Sequence, residues 1–451
     1  MSQGLAQAAA ALHLPDDHPL ICAPERVLRM ADIRAIARAG VMLAGVGVAL
    51  CIADPFELLR AVLMLDGRAA ALLLLSPNLP AEAAQAVMRE AGIERVVTDR
   101  SDLAGAVTLD ALMADGQGGR ANGAEPTEWL LTTSGTTGVP KLVRHQRATI
   151  CRAARTDHAG SSTHRWAMLY DPSRFAGTQV FVQALLSGAT LLAPRPGMTT
   201  GETVEWLAAQ GCTHISATPS LWRRLLMAPA VARLPLRQIT LGGEIVDDTV
   251  LGALRARFPT ARITHIYAST EAGTGFAVRD GKAGFPAAWL EEHAHVDGAR
   301  LSVRDGMLWL RPPGGEQGDA PHIVRDAAGY IRTGDRVAIE SGRARFIGRE
   351  DTTLNVGGIK VQVEAVEEIV HAHPAVAQCR ITAKPSAMMG NLLTLSVVPR
   401  AEVDIDPATL RQEIALWCKS RLPPPARPAT IRIVQEIPVS SAGKTERAIK
   451  P

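Results

Sequence analysis

From residue 41 to residue 269, short apolar runs alternate with longer amphipathic ones. That alternation constrains the fold more than any other feature of the chain. "GVALCIA" and "AAALLLL" read as buried strands, separated by the helical "DPFELLRAVLMLDG". The helix "AEAAQAVMREAG" and the strand "IERVVTD" follow. The pattern resumes with "ATLLAP", "GETVEWLAAQG", "THISATP", "SLWRRLLM", "RQITLGG", "DDTVLGALRARF" and "ARITHIYAS". Strands that alternate with helical segments imply a parallel sheet covered by helices. From about residue 291 the texture changes. "ARLSVRDGMLWLRPP" and "DRVAIESGRARFIG" read as short antiparallel strands. From about 352 a last segment mixes strands with the helices "VEAVEEIVHAH" and "PATLRQEIALWCKSR", so a boundary falls near "GREDTT", 348–353.

At 451 residues the chain exceeds a single core, and with 47% hydrophobic residues it has the material to bury several. A formal charge of +3 is near neutral for this size and argues for neither nucleic acid nor an acidic membrane surface as partner. Six scattered cysteines with no C-x-x-C pair fit reduced thiols in a cytoplasmic protein. The start, "MSQGLAQAAAALHLPDD", has no basic n-region and no sustained apolar h-region. Apolar runs such as "VMLAGVGVALCIA" fall short of the roughly 20 residues that span a bilayer.

The stretch "LLTTSGTTGVPK", 130–141, crowds Ser, Thr and Gly behind an apolar lead-in and ends in Lys. Hydroxyls, free N–H groups and one cation suit an anion rich in oxygens, such as a polyphosphate, although a polar surface turn has the same composition. It is not a Walker A loop, and the GKT at 443–445 has Pro438 where that motif needs its first Gly. Four further stretches stand out: "IYASTEAG" at 266–273, "YIRTGDRV" at 330–337, "GREDTTLNVGGIKVQVEAVEEI" from 348 and "PVSSAGKTER" at 438–447. The first follows a predicted strand, which places Tyr267, Thr270 and Glu271 at a strand's carboxyl end, where open α/β sheets bind ligands.

Together, in this order and spacing, the five stretches resemble the adenylate-forming superfamily: acyl-CoA and aryl-CoA ligases, peptide-synthetase adenylation domains and firefly luciferase. The likeness runs from "ICAPERVLRMADI" to Lys444. It implies an α/β fold with a large N-terminal domain, 1–350, of two αβ-sheet subdomains (about 1–160 and 161–290) and a small β-barrel part (291–348). A mobile α+β lid, 351–451, follows. It also implies a two-step reaction. A carboxylate attacks the α-phosphorus of ATP, giving acyl-AMP and pyrophosphate, and a thiol then attacks the acyl carbon and expels AMP. Adenylation supplies the leaving group that a carboxylate oxygen lacks.

The resemblance implies a task for each matched residue. Thr133, Ser134, Gly135, Thr136, Thr137, Gly138 and Lys141 would hold the β- and γ-phosphates. Tyr267 would stack on adenine, with the small Ala268 and Ser269 beside it. Thr270 would donate to the α-phosphate, and Glu271 would hold Mg2+, a hard cation that prefers carboxylate oxygens. Asp335, on a Gly turn, would accept both ribose hydroxyls, with Arg349 adding positive charge. Gly242, Gly243 and Glu244 would line the adenine and acyl pockets. Lys444 would bridge the substrate carboxylate and the α-phosphate. Asp351 aligns with the hinge about which the lid turns, and Gly357 and Gly358 with the loop along the thiol's path.

Several positions depart from the family pattern. After Lys141 stand Leu142 and an early His145. In "DPSRFAG", Arg174 replaces a frequent His beside the acyl pocket and is followed by Phe175 and Gly177; it would pair a substrate carboxylate or a neighbouring acid. The stretch 311–329, before "TGD", is shortened. We therefore expect an ATP- and Mg2+-dependent acid–thiol ligase for a hydrophobic monocarboxylic acid, fatty or aromatic. The expected acceptor is coenzyme A. The rivals are a separate acyl or peptidyl carrier protein as acceptor, a non-catalytic nucleotide-binding relative, and an oxygen-dependent, luciferase-like oxidation of the adenylate, which only the kinship suggests.

Overall fold

The computed structural model describes residues 4–39, 41–114, 117–118, 126–133, 140–156, 160–313, 319–386, 388–401, 403 and 405–438. Ser134, Gly135, Thr136, Thr137, Gly138 and Lys444, all expected at the site, lie outside them. The fold is α/β, as the alternation requires. One sheet has seven strands among the described residues, with Val41–Cys51 and Ala69–Leu74 parallel at its centre and Glu128–Thr133 and Lys141–Gln146 forming an antiparallel edge. A second, of eight strands, runs parallel through Arg165–Ala167, His214–Ala217, Gln238–Gly242 and Arg262–Ser269, and the antiparallel strand Gly273–Val278 closes that edge. The strand Pro19–Ala23 joins this second sheet beside Thr190–Leu192, a pairing across the chain that local periodicity cannot reveal.

Helix ends follow from local chemistry. Asp54, Asp247 and Asp406 each accept a backbone N–H of the first turn, and Pro55 and Pro407 occupy the position where a missing donor costs nothing. Thr199 and Glu202 form a reciprocal capping box at the start of the helix Thr200–Ala209. The two αβ sheets share a large apolar core that includes Leu50, Leu72, Trp129, Phe181 and Leu191. Residues from 285 to 349 build a five-stranded antiparallel sheet. The C-terminal region has its own core, in which the helices Val363–His371 and Pro407–Arg421 cover a sheet centred on Val376–Ser386 and Gly390–Pro399. At the junction, Thr352 Oγ1 donates to Glu364 Oε2 at 2.9 Å. Gly348 has φ +149°, and a side chain there would strike Gln362 Oε1 at 2.5 Å. Among the described residues no helix is long and apolar enough to cross a membrane.

Candidate active site

The strands Gln238–Gly242 and Arg262–Ser269 are parallel neighbours, with Gly242 opposite Ile266, so "LGGE" and "YASTE" emerge side by side at one sheet edge. Carboxyl ends of parallel strands leave backbone groups and loops free to meet a ligand. Gly243 turns at φ +80°, which glycine adopts without strain. Glu244 is committed inside the protein, where Oε2 accepts the Ser220 N–H at 2.9 Å in the first turn of the helix Pro219–Met227. Thr270 and Glu271 form the corner between Arg262–Ser269 and Gly273–Val278, and Ser269 Oγ accepts the Ala272 N–H at 3.0 Å.

Tyr267 meets the antiparallel sheet. Its hydroxyl donates to Asp335 Oδ2 at 2.5 Å. Its ring lies nearly parallel to Phe276, centroids 5.1 Å apart, and to Phe346, 5.4 Å apart. Burial, then the Asp335 charge, hold the phenol well above its ordinary pKa. The residues expected to bind adenine and ribose separately are thus engaged with each other. Asp335 lies within the strand Ile331–Glu340 rather than on a free turn; the turn geometry belongs to Gly334, at φ +79°. Arg349 stands opposite it in register, with Nη1 3.7 Å from Asp335 Oδ1, and Nε donates to Asp351 Oδ1 at 3.0 Å. Burial pulls the Arg349 pKa down, but Asp335 and Asp351 outweigh it and raise it. Asp351 sits in a single 3-10 turn, Glu350–Thr352, between the antiparallel sheet and the C-terminal region.

Thr133 and Lys141 are paired in register at the ends of the antiparallel strands Glu128–Thr133 and Lys141–Gln146, Thr133 half-buried and Lys141 exposed. Arg174, left open between a substrate carboxylate and a neighbouring acid, makes hydrogen bonds to Thr132. Its Nη1 donates to the Thr132 carbonyl at 3.0 Å and to Thr132 Oγ1 at 3.1 Å, which ties the start of the helix Phe175–Leu186 to the strand Glu128–Thr133. Burial lowers its pKa, with Asp171 acting in the opposite direction. Gly177 also has a packing reason, since a side chain there would strike the Asp171 carbonyl oxygen at 2.2 Å. Phe175 is buried, and Ala268 packs on the same core. Gly357 and Gly358, at φ +60° and +83°, form the two-residue turn between Thr353–Val356 and Ile359–Gln362.

Two histidines at this site were not assigned a role from the sequence. His145 is 2% exposed beside Phe175, ring centroids 5.8 Å apart, and neither ring nitrogen has a hydrogen-bond partner among the described residues. Burial lowers its pKa to about 4, against a smaller opposing effect of the Thr270 backbone. His322 Nε2 lies 3.6 Å from Glu271 Oε1. The signals available were the unusual position of His145 after Lys141 and the shortening of 311–329.

The fold and the gathered motifs define a nucleotide-binding α/β enzyme class with a separate C-terminal domain. Residues 24–298 match the family described as AMP-binding enzyme, and residues 365–444 match the AMP-binding enzyme C-terminal domain. The chain belongs to this family, in the adenylate-forming superfamily. It is 26% identical to surfactin synthase subunit 1 of Bacillus subtilis (strain 168), over 96% of this chain but only 13% of that protein. It is 25% identical to syringomycin synthase SyrB1 of Pseudomonas syringae pv. syringae, over 83% of this chain and 68% of that one. The crystal structure of the anthranilate CoA ligase AuaEII with anthranoyl-AMP shares the fold, with a TM-score of 0.76 at 17% identity over 98% of this chain and 95% of that one.

Proposed function

We propose that this protein activates a hydrophobic monocarboxylic acid with ATP to form acyl-AMP and pyrophosphate, then transfers the acyl group to a phosphopantetheine thiol. The observation that carries the reading is the meeting of Tyr267, Thr270 and Glu271, at one sheet's edge, with Asp335 and Arg349 of another. One nucleotide would span that seam. Asp335 would take the ribose hydroxyls once Tyr267 releases it, and Tyr267, freed, would offer a flat face to adenine. The Thr270 hydroxyl and N–H would meet the α-phosphate.

Serine, threonine and backbone donors of 133–138, with Lys141, would neutralise the departing pyrophosphate, where preorganised donors act most strongly. Lys444 would balance charge as the carboxylate approaches the α-phosphorus. The Glu271 carboxylate, 27% exposed, fits a hard divalent cation such as Mg2+, which would bring positive charge to the triphosphate oxygens. Arg174 Nη1 is already committed to Thr132, which supports a monocarboxylate over a second substrate carboxylate at this position.

The thiol is that of coenzyme A in our reading, arriving past Gly357 and Gly358. A carrier protein's arm presents the same thiol, and the likeness to surfactin and syringomycin synthases favours it as the second reading. The test is pyrophosphate exchange across a panel of carboxylic acids without thiol, followed by transfer from the best acid to coenzyme A and to a phosphopantetheinylated carrier. No exchange with any acid would remove the adenylating reading. A dicarboxylate as best substrate, with the preference lost in Arg174→Ala, would remove the monocarboxylate one.

A further inference from the structure

We infer that His322 is a second protein ligand, beside Glu271, for the divalent cation of this site, and that it tilts the metal preference from Mg2+ toward Mn2+. The inference rests on the adenylating reading above. His322 Nε2 and Glu271 Oε1 are 3.6 Å apart, beyond hydrogen-bonding range. A ring N–H and a carboxylate oxygen free to approach would close to about 2.8–3.0 Å. Nε2 is buried and has no hydrogen-bond partner among the described residues. Backbone contacts hold the histidine in place. The Arg144 N–H donates to the Asp319 carbonyl at 3.0 Å, and the Asp319 N–H donates back at 2.9 Å. The segment is thereby fastened to the strand that leaves the phosphate loop, and a turn from Ala320 to Ile323 then carries His322 to the Glu271 corner.

Two cis donors that each lie about 2.1 Å from one octahedral cation are themselves about 3.0 Å apart, so this pair would need to close by only about 0.6 Å to share an ion. Among the described residues no group of three or more His, Cys, Asp and Glu side chains gathers around a common point. A cation held here therefore has two protein donors and completes its shell with phosphate oxygens and water, so its binding depends on nucleotide. An imidazole donor favours first-row transition cations over Mg2+. The shortened 311–329 stretch thus places a nitrogen ligand at the phosphate end of the site.

The experiment uses the full chain with a non-hydrolysable ATP analogue and Mn2+, read by pulsed electron paramagnetic resonance. The wild type should show imidazole 14N coupling to the ion. His322→Ala should lose that coupling and bind Mn2+ more weakly, by on the order of tenfold, with Mg2+ binding changed less. His322→Gln, which keeps a hydrogen-bonding side chain, should also lose the coupling while remaining folded. Absence of 14N coupling in the wild type, or equal Mn2+ affinity in His322→Ala, would overturn the inference and leave His322 as a neighbour of Glu271 only. If that happens while pyrophosphate exchange proceeds with Mg2+, the adenylating reading stands. If exchange fails with every acid and metal, both fall.

Discussion

The two ends of the candidate site are built differently. At the end proposed for the nucleoside, Tyr267, Asp335, Arg349 and Asp351 satisfy one another through a short hydrogen bond and a chain of charges, and Tyr267 also stacks on Phe276 and Phe346. At the end proposed for the phosphates, the ring nitrogens of His145 have no close hydrogen-bond partner among the described residues beyond the weak influence of the Thr270 backbone, and His322 stops short of Glu271. The first end must exchange internal contacts for a ligand. On the reading proposed above, the second would receive a partner for His322 from the ligand. Binding energy at the nucleoside end is therefore a difference between two satisfied states, whereas at the phosphate end it is closer to the full value of each contact.

The largest test of this contrast is Lys444→Ala. If charge supplied at the phosphate end drives adenylation, pyrophosphate exchange should fall on the order of 10²–10³-fold, while nucleotide binding and thiol transfer from pre-made acyl-AMP are much less affected. Exchange at the wild-type rate in the variant would refute the assignment.

A pH titration probes the same end. His145 has an unfolded pKa of about 6.5 and a folded pKa of about 4, so the fold favours its neutral form. Its environment costs nothing above about pH 6.5. Stability is lost as pH falls through the interval down to about 4, by about 2 kcal/mol at pH 5. Urea unfolding at pH 7.5 and pH 5 should therefore show a smaller drop for His145→Gln than for the wild type. Parallel drops would mean that the ring is not held neutral.

At the nucleoside end, Asp335→Ala should weaken ATP binding by about 1.5–3 kcal/mol, the worth of hydrogen bonds to a charged group, with little change in kcat at saturating ATP. A kcat effect without a KM effect would move Asp335 out of ribose recognition. Asp351→Pro concerns the lid. Proline fixes φ and restricts Glu350 before it. Adenylation should survive within about tenfold, roughly 1.4 kcal/mol of barrier, while transfer of isolated acyl-AMP to thiol falls further. Equal losses in both half-reactions would move the pivot elsewhere. The smallest effect is expected for Tyr267→Phe. It removes the hydroxyl that occupies Asp335 and keeps the ring, so stability should fall by about 1 kcal/mol while ATP binds at least as tightly as before. Weaker ATP binding would mean that the hydroxyl contacts the nucleotide instead of competing with it.

Strand and helix alternation and motif order were legible because they depend on near neighbours; the caps Asp54 and Thr199 and the hairpin turn at Gly357 and Gly358 are equally local but emerged only in the structure. The placement of Tyr267, Thr270 and Glu271 at a strand end followed from the same local reasoning. Arg174 was harder to read. The sequence left its partner open between a substrate carboxylate and a neighbouring acid, and the hydrogen bonds go to Thr132, forty-two positions away. His322 was invisible for the same reason, since a backbone bridge between Arg144 and Asp319 sets its position.

By itself, then, the sequence determined the α/β class, the motifs and the residue types capable of handling a triphosphate, because periodicity, capping and turn chemistry act over a few residues. Tertiary structure alone decided that Tyr267 occupies Asp335, that Arg174 is bonded to Thr132, that His145 is buried beside Phe175 and that His322 stands by Glu271. Those facts depend on which distant strands pair and which side chains lose water together, and no local pattern encodes either.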